Sequence, residues 1–273
     1  MIRHFLLVVL IALGAFAAWW LLQKPSHDRP WADDVAELLH PEVQGDAVVL
    51  HNVRNFVWRT ETDYTVRWDT RRYDLSTLQS ADLVLSYWMG PAIAHTLVSF
   101  GFADGSYLTF SLEIRKEKGE EFSAWKGFFR QYEAILVAAD EADIVRTRSN
   151  ARGEDVYIYR LDIPPEQLKT LFLAYVERAT ELEKAPAFYN TLTSNCTTVV
   201  YEIAKQIVPD LPLDYRLLAS GYFDEYAHEQ GGLVKGFSLD ELKQKGYIVP
   251  RAKAAQSGEN FSEVIRRGVP GMH

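Results

Sequence analysis

Two stretches of this chain alternate in polarity, His95 to Phe102 and Tyr107 to Arg115, with Ala103-Asp104-Gly105-Ser106 between them. An Asp-Gly pair between alternating segments marks a β-hairpin. A strand sends successive side chains to opposite faces, so the hairpin sorts its own residues. His95, Leu97, Ser99 and Gly101 fall on one face of the first strand, and Val98, Phe100 and Phe102 on the other. In the second strand Ser111, Glu113 and Arg115 alternate with Phe110, Leu112 and Ile114. Paired through the Asp-Gly turn, the polar trio shares the face of His95. A histidine, a hydroxyl, a carboxylate and a guanidinium then meet on one surface of an antiparallel sheet.

The rest of the pattern predicts an α+β fold. Further strands are expected over 47–58, 65–73, 82–88, 144–147 and 155–161. Short helices are expected over 31–39 and 238–245, and 125–139 reads as helical in part. Pro164-Pro165-Glu166 opens a long helix running to about Leu182, with proline in the first turn where its missing N–H costs nothing. From Leu211 onward the chain reads as loop-rich, and 251–273 as a weakly structured tail.

The only cysteine, Cys196, follows Thr193, Ser194 and Asn195, all good N-cap residues, and precedes Val199, Val200, Ile203, Ala204 and Ile207 at helical spacing. A thiol in the first turn of a helix faces the positive end of the helix dipole, which favours the nucleophilic thiolate. A lone buried cysteine can equally be an inert core residue. The compartment bears on the choice. Phe5 to Leu22 is an apolar run at the lower limit for spanning a bilayer, preceded by Arg3 and His4 and followed by Lys24. It reads as a single-pass anchor with its N-terminus in the cytoplasm, or as a secretory signal cleaved near Ala15-Phe16-Ala17. Either way the body lies outside the cytoplasm, where paired cysteines would be disulfides and an unpaired one stands out. The expected organisation is an anchor or signal over 1–24, a linker with a short helix over 25–46, a catalytic domain over 47–250 and the tail over 251–273. A net charge of −8 without a basic stripe argues against a nucleic-acid partner.

A thiol nucleophile needs a base. His4, His27 and His40 belong to the anchor and its approach and His273 is terminal, leaving His51, His95 and His228. His95 is the candidate because Ser111 or Glu113 on its face is placed to orient the imidazole. Glu113 and Arg115 could instead form a surface ion pair with Lys116 and Glu117. The backbone N–H of Cys196, with Asn195 or Tyr189, supplies oxyanion donors. Such chemistry calls for no cofactor and no metal, and there is no His-x-x-x-His motif to bind one.

The stretches His51-Asn52-Val53-Arg54-Asn55-Phe56, His95 through Phe102, Ser111-Leu112-Glu113-Ile114-Arg115-Lys116-Glu117, and Phe188-Tyr189-Asn190-Thr191-Leu192-Thr193-Ser194-Asn195-Cys196-Thr197-Thr198 carry a resemblance. From about His51 to Arg266 the chain resembles the N-terminal periplasmic domain of Lnb-type lipoprotein N-acyltransferases. That resemblance implies a permuted papain-type, NlpC-like fold in which histidine precedes cysteine. It also implies an acyl thioester on Cys196 with His95 as base, and a lipid or lipoprotein substrate at a bacterial inner membrane, the domain lying in the periplasm. Arg115 joins the site as a supporting residue on this reading. Full-length members carry a multi-pass membrane portion, whereas here a single apolar N-terminal segment is present. A cysteine peptidase or amidase acting on cell-wall peptide, and a catalytically inactive binding module, are the competing expectations.

Overall fold

The structure, a computed structural model, describes residues 2–120, 131–256 and 258–272. Helix α1, Ile2–Leu22, is long and apolar enough to cross a membrane, a property it shares with signal sequences. The chain leaving it is tied down at once. The Ser26 N–H donates to Glu133 at 3.1 Å, and His27 Nε2 lies 3.1 Å from the Glu183 carbonyl oxygen. The helix expected over 31–39 is reduced to one 3₁₀ turn, Asp33–Val35. Arg115 takes the carbonyls of Val35 and Ala36 at 2.9 and 2.5 Å, the groups a continuing helix would use internally.

Among the described residues ten strands follow: β1 His40–Gln44, β2 Ala47–Arg54, β3 Val57–Trp58, β4 Tyr64–Thr65, β5 Trp68–Asp74, β6 Leu78–Tyr87, β7 Ala94–Phe102, β8 Tyr107–Arg115, β9 Glu133–Ala139 and β10 Asp155–Arg160. Eight of them form one sheet in the order β1-β2-β9-β8-β7-β6-β10, with β5 also paired to β2. The pairing is antiparallel except where β2 meets β9. The Asp-Gly hairpin forms in the expected register, from Gly101 opposite Tyr107 to Leu97 opposite Ser111.

Of the segment 125–139, expected to be helical in part, residues 133–139 are strand β9, entirely buried in the middle of the sheet, and residues 125–130 lie outside the described residues. Residues 144–147 are not a strand: Ile144 and Val145 belong to helix α2, Glu141–Arg146, which runs into a π-helical turn at Thr147–Ala151. A run of two apolar residues carries no period, so a buried helix and a strand look alike there.

Helices cover both faces of the sheet. Helix α3, Pro165–Lys184, and α4, Cys196–Ala204, pack on Val98, Phe100, Phe110 and Leu112. Beyond them come α5 Phe223–Glu229, α6 Leu239–Gly246, α7 Val249–Ala254 and α8 Phe261–Arg266. The tail expected to be weakly structured is part of the fold. Phe261, Val264, Ile265, Val269 and Met272 join Leu97, Ile135 and Val137 in a core on the second face. Arg266 anchors that packing, buried between Asp82 at 2.7 Å and Glu141 at 2.6 Å. Its guanidinium also lies 3.4 Å from the centre of the Tyr107 ring.

Candidate active site

The site is assembled where the β7–β8 pairing stops at Leu97 and Ser111. Continuing that register sets His95 opposite Glu113. His95 Nε2 lies 2.6 Å from Ser111 Oγ and 3.2 Å from Glu113 Oε1, and Ser111 Oγ donates to Glu113 at 2.7 Å. The expected polar face is therefore one connected array, and both candidate orienters touch the same ring nitrogen. Cys196 acts on the same imidazole through its charge and a side-chain hydrogen bond.

Cys196 arrives from the opposite layer. Asn190 accepts from Leu192 N–H and Thr193 N–H at 2.9 and 3.0 Å, and the Asn190 and Ser194 backbones bond to each other. This tight loop delivers the chain into α4. Asn195 caps the helix, accepting from Thr197 N–H and Thr198 N–H at 2.8 Å each, and Thr198 Oγ1 accepts from the Asn195 N–H. The capping box fixes the first turn, and with it the thiol. Thr197 Oγ1 bonds Thr96 Oγ1 at 2.8 Å, holding the helix start against β7. Only 7% of the Cys196 surface and 14% of the His95 side chain are exposed.

The two groups reinforce one another's charge. Burial opposes the thiolate. The His95 charge and hydrogen bond, the Thr96 backbone N–H and the Thr197 hydroxyl outweigh it and lower Cys196 to about 7. Burial and the charge of Arg148 disfavour imidazolium, but Glu113 and Cys196 outweigh them and raise His95 to about 9. Burial also works against ionised Glu113, and His95 and Arg148 hold it well below the usual carboxylate range. Thiolate and imidazolium are thus the favoured pair near neutral pH. Burial, then the nearby Cys196 and Glu113 charges, push the Tyr189 phenol well above its ordinary value, so it stays neutral, its oxygen accepting from the Cys196 backbone N–H.

Two residues expected at the site serve elsewhere. The Asn195 amide donates to Thr191 O at 2.8 Å, so it is the helix cap and its N–H₂ is already committed. Arg115 is turned to Val35, Ala36 and His27, and stacks on Trp31 at 4.6 Å. Sequence reasoning missed Arg148. It projects from the π-helical turn to Glu113 at 2.8 Å and to Glu154 at 3.4 Å, and Glu154 in turn accepts from Ser86, the register partner of His95. Nothing in its local pattern distinguishes it from a surface arginine.

The family described as the Lnb N-terminal periplasmic domain matches residues 64–221, more than half of the chain. The chain belongs to that family. The match takes in His95, Ser111, Glu113, Arg148 and Cys196, so the whole array lies within the Lnb domain. No curated protein and no solved structure matches the sequence.

Proposed function

We propose that this Lnb-family domain is a thiol acyltransferase or hydrolase, held by α1 at the periplasmic face of an inner membrane and acting on acyl esters of lipids or lipoproteins. The observation that carries the reading is the Cys196–His95 pair with Ser111 and Glu113 behind the imidazole. His95 takes the thiol proton and the thiolate attacks the ester carbonyl carbon. The Cys196 backbone N–H and the Tyr189 hydroxyl receive the oxyanion. Collapse breaks the ester C–O bond, His95 returns its proton to the leaving alkoxide, and a lyso product departs from an acyl-thioester enzyme. In the second half His95 deprotonates an amine or water, which attacks the thioester and releases the Cys196 thiolate. The order of histidine before cysteine is that of permuted papain-type enzymes.

Two further observations favour a lipid substrate over cell-wall peptide. Trp88, Met89, Leu192 and Leu218, on the loops that run into β7 and α4 and along the segment holding Asn195, are exposed. The chain leaving α1 is pinned to Glu133, opposite Arg115 and so at the same end of the sheet as Glu113. Anchor and site thus share one end of the body, and membrane attachment raises the local substrate concentration.

The test is intact-mass analysis after incubation with diacylglyceryl lipopeptide or phospholipid vesicles. A hydroxylamine-sensitive acyl adduct on Cys196 with release of a lyso product is expected, and Cys196→Ser abolishes the turnover. Untouched lipids together with Cys196-dependent cleavage of cell-wall peptide would overturn the acyl-transfer reading.

A further inference from the structure

Three histidine and carboxylate side chains outside the thiol site converge on one point. His40 and His51 are direct register partners across β1 and β2, and Glu42 lies two residues along β1 on the same side. His51 Nε2 is 3.1 Å and His40 Nε2 3.9 Å from Glu42 Oε1, and one ligand atom from each residue lies within 4.8 Å of the others. Ligand atoms about 2.0–2.2 Å from a common zinc-sized ion lie about 3–3.5 Å from one another, so small adjustments close this triangle.

The outer atoms make the stronger argument. Metal-binding histidines are held by a partner on the other ring nitrogen, which fixes the tautomer and aims the ring. Both rings here have one. His40 Nδ1 lies 2.6 Å from Glu183 Oε1, and His51 Nδ1 lies 3.1 Å from Thr70 Oγ1. Each ring therefore turns its Nε2 toward Glu42. His51 sits where β2 is bulged against β5, next to Asn52 with a φ of 64°, and a bulge re-aims the side chains beside it.

We propose that His40, Glu42 and His51 bind a divalent first-row transition ion, with zinc(II) the best fit to this N₂O set, and that Glu183 and Thr70 are positioning residues. The exposed setting leaves a further coordination position to water. The ion ties the edge hairpin to α3 through Glu183, whose own carbonyl receives His27 from the chain leaving α1. The site lies on the outer strands, with β9 between β2 and β8, and is independent of the thiol chemistry.

The test is cobalt(II) titration of the untagged full-length chain in detergent after chelator treatment, followed by zinc competition. Stoichiometric binding with visible d–d bands and no thiolate charge-transfer band is expected, unchanged in Cys196→Ser. His51→Ala and Glu42→Gln should abolish it, and Glu183→Gln should weaken it about ten- to a hundredfold. Far-UV circular dichroism establishes that each variant is folded. Absence of stoichiometric binding in the wild type overturns the proposal. So does binding that persists in both folded ligand variants, or a charge-transfer band that places the ion on Cys196.

Discussion

Arg148 Nη2 donates to Glu113 Oε1 at 2.8 Å, and that same oxygen lies 3.2 Å from His95 Nε2. One carboxylate is shared between the base and a buried guanidinium. Glu113 favours imidazolium while Arg148 opposes it, so the basicity of His95 is a balance between two residues that meet only in three dimensions. The balance leaves the thiolate–imidazolium pair spanning roughly the interval between the lowered thiol and the raised imidazole.

The first consequence is a pH profile. A lowered thiol pKa means that thiolate is present above that value and lost below it. Iodoacetamide labelling of Cys196 should therefore rise with pH around a midpoint of about 7, below the ordinary value of 9.0. In His95→Ala the opposing cation is gone while burial remains, so the midpoint should move up past the ordinary value. A wild-type midpoint at or above 9, or no difference between the two proteins, would refute the activated pair.

Ser111 and Glu113 act on the imidazole in different ways, and the difference is measurable. Glu113→Gln keeps a polar side chain and removes its charge, leaving Arg148 to push the imidazole down. Its labelling midpoint should shift up toward that of His95→Ala. Ser111→Ala leaves the charge in place and removes the 2.6 Å contact that steers the ring. It should leave the midpoint nearly unmoved and lower acyl turnover about a hundredfold through misorientation. Identical pH profiles for the two variants would show that orientation and charge are not separable here.

Arg266 gives a stability prediction from the far end of the chain. Its guanidinium sits between Asp82 and Glu141, both fully buried, and Glu141 also accepts from Ser99. Removing Arg266 leaves Glu141 without its cation, while Asp82 keeps Arg160 at 2.6 Å, at a cost of about 3 kcal/mol. Arg266→Met should lower the urea midpoint accordingly. Adding Asp82→Asn and Glu141→Gln should recover part of the loss, because the three positions are coupled. A change below about 1 kcal/mol would mean that the network is not maintained in solution.

What was legible in the sequence was periodic or local. The strand alternation around the Asp-Gly turn placed His95, Ser111 and Glu113 on one face, and cap chemistry placed Cys196 in the first turn of α4. What was not legible depended on distant partners. Ile144 and Val145 form a helix because Asp143 receives Arg54, Phe56 N–H and Trp58 from another part of the chain. The tail is ordered because Arg266 finds Asp82, 184 residues away. Arg115 lies on the expected face, yet the chain after α1 claims it. Among the metal candidates, His40 and Glu42 are two apart on a strand and their partner is cross-strand, a spacing that a helix-based His-x-x-x-His search does not see.

Asn195 separates a structural from a chemical contribution to thiol reactivity. Its side chain oxygen accepts two backbone N–H groups and its N–H₂ is spent on Thr191 O, so it acts on Cys196 through the helix start. Asn195→Ala should cost about 1 kcal/mol of stability and slow Cys196 labelling as the first turn frays. Asn195→Ser restores a cap acceptor while lacking the amide donor, and should recover both stability and labelling rate. If the amide instead donated to the oxyanion, Asn195→Ser would remain as inactive as Asn195→Ala, with turnover down about 100- to 1000-fold at unchanged labelling. Acyl turnover and labelling measured side by side on these two variants decide between cap and oxyanion donor.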